Sequence, residues 1–257
     1  MTLSQADKAQ LEEVALKLSR CRSALFITGA GLSADSNLPT YRGVGGLYND
    51  EDTEEGIPIE EALSGTMLHR QPELCWHHIS RIEVSCRGAT FNRGHEVIAA
   101  FEKKLERVCV LTQNVDGFHR GAGSKNVIDI HGDICRLLCT RCTYREVVSD
   151  YSHLQMPPKC PDCSALIRPD VVLFGEMLPH DKLAQLYQQT ELGFDMVFTI
   201  GTSSLFPYIV EPVMTAKSWG VPTVEINPGH TDLSRMVSYK IHAGAAESLD
   251  FLMGLVV

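Results

Sequence analysis

No tract rich in lysine or arginine interrupts this chain, and 32 acidic residues outnumber 23 basic ones, for a formal charge of −9. That balance excludes nucleic-acid binding through a general basic surface and suits a cationic polypeptide partner better. Long apolar runs are missing as well. The first twenty residues are charged, with Leu11, Val14, Ala15 and Leu18 at helical spacing, so neither a signal peptide nor a transmembrane span is expected. A soluble, cytoplasmic protein without a membrane partner is the expectation. Internal repeats and low-complexity segments are absent, and 44% hydrophobic with 21% charged residues is ordinary globular composition over 257 residues. Such a length accommodates one large core plus a smaller module. The acidic run Asp50-Glu51-Asp52-Thr53-Glu54-Glu55 reads as a solvated loop.

A disulfide framework is also lacking, since Cys21, Cys75, Cys86, Cys109 and Cys135 are scattered, which fits a reducing compartment. The other four of the nine cysteines are paired. Cys139-Thr140-Arg141-Cys142 and Cys160-Pro161-Asp162-Cys163 are C-x-x-C turns separated by seventeen residues, a spacing expected of a zinc knuckle. Two such turns supply a tetrahedral sulfur cage with no position left for water or substrate, so one structural zinc is expected rather than a catalytic one.

Short apolar runs ending in small or polar residues recur: Ala24 to Thr28, Val108 to Leu111, Val127 to Ile130, Val171 to Phe174, Met196 to Ile200, Val224 to Ile226 and Tyr239 to Ile241. Alternating with helical patterns, they predict an α/β fold, a doubly wound Rossmann-like parallel sheet covered on both faces. Ligands of such sheets bind beyond the carboxyl ends of the strands, where the Gly, Asn, Gln, His and Ser clusters fall. Residues 44–89 and 134–168 break the rhythm and are expected to form a small domain, a helical insertion plus the four-cysteine module. Residues 1–43, 90–133 and 169–257 make up the sheet domain, with a cleft between the two.

Gly29-Ala30-Gly31-Leu32-Ser33-Ala34 follows the first strand in the pattern G-x-G-x-x-A, a turn that lets a pyrophosphate approach a helix N-terminus. The second strand of a dehydrogenase, with its ribose-binding acid, is replaced by the loop from Ser36 to Tyr48. In this loop Pro39-Thr40-Tyr41-Arg42-Gly43, with Thr112-Gln113-Asn114-Val115-Asp116, His131-Gly132, the cysteine module, Phe174-Gly175-Glu176 and Gly201-Thr202-Ser203, resembles the sirtuins, NAD-dependent protein lysine deacylases. The resemblance spans nearly the whole chain.

The resemblance implies that 1–43, 90–133 and 169–257 bind NAD as a co-substrate. It implies phosphate contacts for Gly29, Ala30, Gly31 and Arg42, with Ser33, Thr40, Tyr41 and Gln113 lining the same pocket. Asn114 and Asp116 would position the nicotinamide and its ribose, and Asn114 counts as catalytic for that reason. Gly201, Thr202, Ser203, Asn227 and Ala246 would meet the adenosine half. His131 would be the general base that takes a proton from a ribose hydroxyl, a task suited to an imidazole titrating near neutrality. Acyl-lysine peptides or proteins would be the partners, laid along Val172, Phe174, Gly175 and Glu176 by strand addition, with Tyr41 and Phe174 lining an acyl tunnel. His95 and His119 read as structural residues or as supports of the groups that touch the ligand.

Thr40 and the Gly43-Val44-Gly45-Gly46 loop resemble the subgroup that removes succinyl and malonyl groups, whose acyl carboxylate is held by a tyrosine and an arginine three residues apart. The matching segment His77-His78-Ile79-Ser80-Arg81 gives Arg81 as the expected carboxylate partner and His78 in the tyrosine position. Acetyl removal, with succinyl and malonyl as further acyl groups, is the expected activity. Mono-ADP-ribosyl transfer to a protein and a non-catalytic NAD- or ADP-ribose-binding module are the alternatives. Asn37, where the family commonly has glycine, tolerates a left-handed backbone.

Overall fold

The computed structural model describes residues 2–40 and 53–256. Tyr41, Arg42, the Gly43–Gly46 loop and the acidic residues from 50 to 52 lie outside the described residues. Chain order begins with α1 (Gln5–Leu18), β1 (Ser23–Thr28), α2 (Ala30–Ser33), α3 (Ile59–Ala62), α4 (Gly65–Arg70), α5 (Pro72–Cys86) and α6 (Arg93–Phe101). It continues with β2 (Arg107–Thr112), α7 (Phe118–Gly121), β3 (Val127–Asp129), β4 (Gly132–Cys139), β5 (Arg145–Val147) and β6 (Ile167–Val171). The chain then closes with α8 (His180–Glu191), β7 (Met196–Ile200), α9 (Pro207–Ser218), β8 (Thr223–Ile226), β9 (Tyr239–Ile241) and α10 (Ala245–Leu255).

Six strands form a parallel sheet in the order β3-β2-β1-β7-β8-β9. Its continuous apolar strands are buried on both faces, as the unbroken burial of β1 and β7 shows. Side chains of a strand alternate between faces. Ala24 and Phe26 therefore join the core under α1, α6 and α10, while Leu25 and Ile27 join the one under α8 and α9. Phe26 stacks between Phe101 and Phe198 at centroid distances of 5.7 and 4.8 Å. The order reverses at β1, so the turns after β1, β2, β7 and β8 converge on one edge, the switch point where such sheets hold ligands.

A second, antiparallel sheet in the order β5-β4-β6 carries the cysteines. It shares a third apolar core with α3 to α5, in which Leu63, Trp76 and Ile79 meet Ile134, Leu137 and Ile167. The Trp76 indole donates to the Ile167 carbonyl at 3.0 Å, and its ring meets Tyr151 edge-on at 5.5 Å. One expected strand of the large sheet is not there. Val171 is the last residue of β6, paired antiparallel with Gly132 of β4. Phe174 pairs with Ser64 in an isolated bridge outside the sheets. The cause is Gly132, whose φ of +94° turns the chain out of β3 into β4, and β4 recruits residues 167–171 to the small sheet. Asn37 has a φ of +62°, the left-handed conformation expected of it.

Candidate active site

The four convergent turns are tied to one another before any ligand arrives. Gly29 and Gly31 donate their amides to the carbonyls of Ile200 and Gly201 at 3.0 and 2.8 Å, so these amides serve the fold. What the glycines provide is close approach. A Cβ on Gly31 would lie 2.6 Å from the Gly201 Cα, and one on Gly29 2.8 Å from the Gly201 carbonyl oxygen. Gly31→Ala is accordingly expected to force the two turns apart and lower stability by about 1–3 kcal/mol. A thermal melt that coincides with wild type would show that the turns part freely.

Asn114, buried at the tip of β2, donates through Nδ2 to the Gly29 carbonyl at 3.1 Å and to Ser33 Oγ at 3.0 Å. Ser33 donates in turn to Asp116 at 2.6 Å, and Asp116 also accepts from the Phe118 amide at 3.0 Å. Burial pushes the Asp116 carboxyl above its ordinary value, with the Ser33 bond opposing. Gln113 Nε2 donates to Thr202 Oγ1 at 2.7 Å, and Asn227 Nδ2 to the Thr202 carbonyl at 3.0 Å.

His131 stands between the two sheets. Its Nδ1 lies 3.0 Å from the Gln113 carbonyl, which only accepts, so Nδ1 carries the proton and Nε2 the free lone pair. Nε2 lies 2.7 Å from Tyr208 Oη. Burial holds the imidazole below its ordinary pKa; the Gln113 bond opposes this and Lys182 reinforces it. The preceding turn is anchored by Asp129, which burial alone would push up but which Lys182 and Arg136 hold low. Lys182 Nζ reaches Asp129 at 3.0 Å, and Arg136 pairs with the same carboxylate. His119 bonds Thr28 Oγ1 at 2.8 Å and faces His95 at a ring distance of 4.9 Å, both buried under the sheet edge. Burial lowers both pKa values, that of His95 to about 4.

A cleft of about 2000 Å³ opens here. Gly29, Ala30, Gly31, Thr40, Gln113, Asn114, His131, Val172, Phe174, Gly175, Glu176, Gly201, Thr202, Ser203 and Asn227 all line it. Ser33 and Asp116 lie behind the lining, in the network that holds Asn114. Ala246 is beside the cleft, its amide donating to Asp35 Oδ2 at 2.8 Å. Glu176 spends its carboxylate within the chain, on Arg168 at 2.5 and 2.8 Å and on the Leu173 amide at 2.9 Å. Val172 and Phe174 donate their amides to His131 and Leu63 at 2.8 and 3.0 Å.

His78 and Arg81 are not brought to the cleft. His78 is buried against Glu55 at 3.1 Å, and Arg81 is 56% exposed in an ion pair with Glu54 at 3.0 Å. The residues of α5 that line the cleft are Ile79 and Ile82, again three apart, joined there by Leu63, Val115 and Ile134. The expected carboxylate-reading pair is thus off by one position, and the helix shows the cleft an aliphatic wall. Tyr208, Phe206, Ile79 and Ile82 are among the cleft residues that sequence reasoning missed. The pattern Cys75, Trp76, Ile79, Ile82 was the available signal for the last two, being the apolar stripe of the helix.

The four cysteines come together as expected. Their sulfurs all lie within 4.8 Å of one another, with Cys139–Cys163 and Cys142–Cys160 at 3.5 Å. A tetrahedral zinc with bonds of about 2.3 Å sets its sulfurs about 3.8 Å apart, so the set fits one structural zinc. Amides of Arg141 and Cys142 point at Cys139 Sγ at 3.3 and 3.4 Å, as suits a thiolate. Among the described residues no helix is long and apolar enough to cross a membrane.

Comparison with known proteins agrees with this geometry. The model of the Sir2 family matches residues 29–207. NAD-dependent protein deacylase 2 of Pseudomonas aeruginosa is 49% identical over 237 residues, covering 91% of this chain and 92% of its own. A crystal structure of a Sir2 homolog–NAD complex superposes with a TM-score of 0.84 at 33% identity, covering 95% of this chain and 93% of that one. A Sir2–p53 peptide–NAD+ structure has a TM-score of 0.81 at 28% identity, covering 95% and 97%.

Proposed function

The chain belongs to the Sir2 family and is an NAD-dependent protein deacylase, and from that premise we propose how its own residues share the work. Its substrates are peptides or proteins, as the peptide complexes of its structural neighbours support, and we take the modified residue to be acyl-lysine. The observation that carries the assignment is His131: one nitrogen is fixed on Gln113 and the other meets the Tyr208 hydroxyl, both residues lining the cleft where the four turns meet. Bound NAD supplies an electrophilic ribose carbon and leaves as nicotinamide and the O-acyl ester of ADP-ribose. His131 Nε2 receives the proton that a ribose hydroxyl gives up. Asn114, held rigid by Gly29 and Ser33, orients the nicotinamide end, and Asp116 acts on that end through Ser33. Gly201, Thr202, Ser203 and Asn227 hold the adenosine half, and Ala246 flanks it. Arg42 and Tyr41, outside the described residues, complete the phosphate side. The stretch from Val172 to Gly175 receives the peptide.

The acyl group is a neutral, aliphatic one. Ile79 and Ile82 offer a carboxylate no hydrogen bond, and an unpaired carboxylate in an apolar pocket costs several kcal/mol. Acetyl-lysine is therefore expected to exceed succinyl-lysine in kcat/KM by about a hundredfold on one peptide sequence. Arg81→Met is expected to change neither rate, because the guanidinium points to solvent. Equal turnover of both acyl groups by the wild type, or a loss confined to succinyl in the variant, would sink this assignment. Mass spectrometry of the products tests the function itself: O-acyl-ADP-ribose marks deacylation, whereas ADP-ribosylated protein or no product would refute it.

A further inference from the structure

Tyr208 occupies the one atom of His131 that can accept a proton. Nδ1 is committed to the Gln113 carbonyl, and the lone pair of Nε2 is met by the Tyr208 hydroxyl at 2.7 Å. The proton therefore either displaces that hydroxyl or passes through it. Packing decides between the two. Tyr208 sits in the first turn of α9 directly after Pro207, stacks on Phe206 at 5.4 Å with an interplanar angle of 14° and meets the edge of the His131 ring at 6.0 Å. Moving the phenol off Nε2 means breaking the stack and leaving a half-buried hydroxyl without its partner. Tyr208 also lines the cleft while its hydroxyl touches the base.

We propose that Tyr208 is a catalytic proton relay between the ribose hydroxyl and His131. As the ribose O–H breaks, Tyr208 Oη takes that proton and releases its own phenolic proton to His131 Nε2. One phenolic O–H and one Nε2–H form, two O–H bonds break, and the electron pair left on the ribose oxygen attacks the acyl carbon. Tyr208 ends neutral and His131 ends as the imidazolium. Burial raises the phenol's pKa, which suits a group that exchanges one proton for another without ever resting as phenolate. The relay rests on the reading of His131 as base.

Tyr208→Phe keeps the ring and its stack on Phe206 and removes only the hydroxyl. Its turnover of an acetyl-lysine peptide is expected to fall about a hundredfold or more. Exchange of labelled nicotinamide into NAD, which needs the attack of the acyl oxygen but no proton removal, is expected to persist. Nitrogen-15 spectra of the imidazoles are expected to show His131 with its proton on Nδ1 in both proteins, since Gln113 still holds it. Turnover within about threefold of wild type, where His131→Ala abolishes it, overturns the relay alone. Equal losses in turnover and exchange, or a changed His131 tautomer, make Tyr208 a packing or positioning residue and also overturn it. A His131→Ala enzyme that deacylates at a near-normal rate overturns base and relay together.

Discussion

His131→Ala is expected to lower deacylation about 100- to 10,000-fold, the range that general acid–base catalysis contributes, while NAD still binds. The imidazole stands at the junction of the sheets and bonds the Gln113 carbonyl and Tyr208 of α9 rather than Gly29, Gly201 or Asn227, so its loss is expected to leave the nucleotide half of the cleft intact. Titration calorimetry with NAD and product mass spectrometry separate the two effects. The same residue sets the pH dependence. Only neutral imidazole accepts a proton, and burial, assisted by Lys182, lowers the His131 pKa from 6.5 against the pull of the Gln113 bond. The neutral form thus persists to lower pH than in a free histidine. In the profile of kcat/KM, which reports the free enzyme, the acid limb is expected below that ordinary value and to be absent in His131→Ala. A limb above it, or near-normal turnover by the variant, would remove His131 from the role.

Why the strands and turns were legible and the acyl wall was not follows from periodicity. Runs such as Ala24 to Thr28 and Met196 to Ile200 are apolar on both faces, which few environments other than a covered parallel sheet tolerate. Polar residues at their carboxyl ends then fall at the switch point without further information. A helix is less forgiving, because each residue turns the face by about 100°. Placing the expected pair one position away, on His78 and Arg81 instead of Ile79 and Ile82, moved it from the cleft to Glu55, Glu54 and solvent. Resemblance fixed the spacing of the pair, and only the apolar stripe of α5 fixed its direction. Val171 to Phe174 failed for a related reason: an apolar run does not say which sheet it joins, and the left-handed Gly132 decided that. Tyr208 carries no periodic signal, since its importance lies in a contact with a residue 77 positions earlier.

Cys160→Ala is expected to abolish folding of the small module rather than yield a slow, folded enzyme, and metal removal by a strong chelator is expected to do the same. Structural zinc contributes an apparent 10–16 kcal/mol or so in zinc-finger peptides, as much as the whole stability of a typical domain. Cys139 and Cys160 are themselves members of the third core, 5% and 2% exposed. Without the ion, burial and like-charge repulsion return protons to these sulfurs and leave four close thiols with no common partner to hold them together. Loss of the module reaches the chemistry directly, because β4 begins one residue after His131 and Val172 bonds the His131 carbonyl at 2.8 Å. Trp76 reports the event. It is fully buried in the third core, whereas Trp219 is 57% exposed, so unfolding of the module should shift tryptophan emission to the red through Trp76. Metal analysis is expected to give about one zinc per chain in the wild type, with emission shift and loss of deacylation tracking zinc release together. A metal-free variant that keeps the buried Trp76 spectrum and its activity would show that the third core holds without its cage.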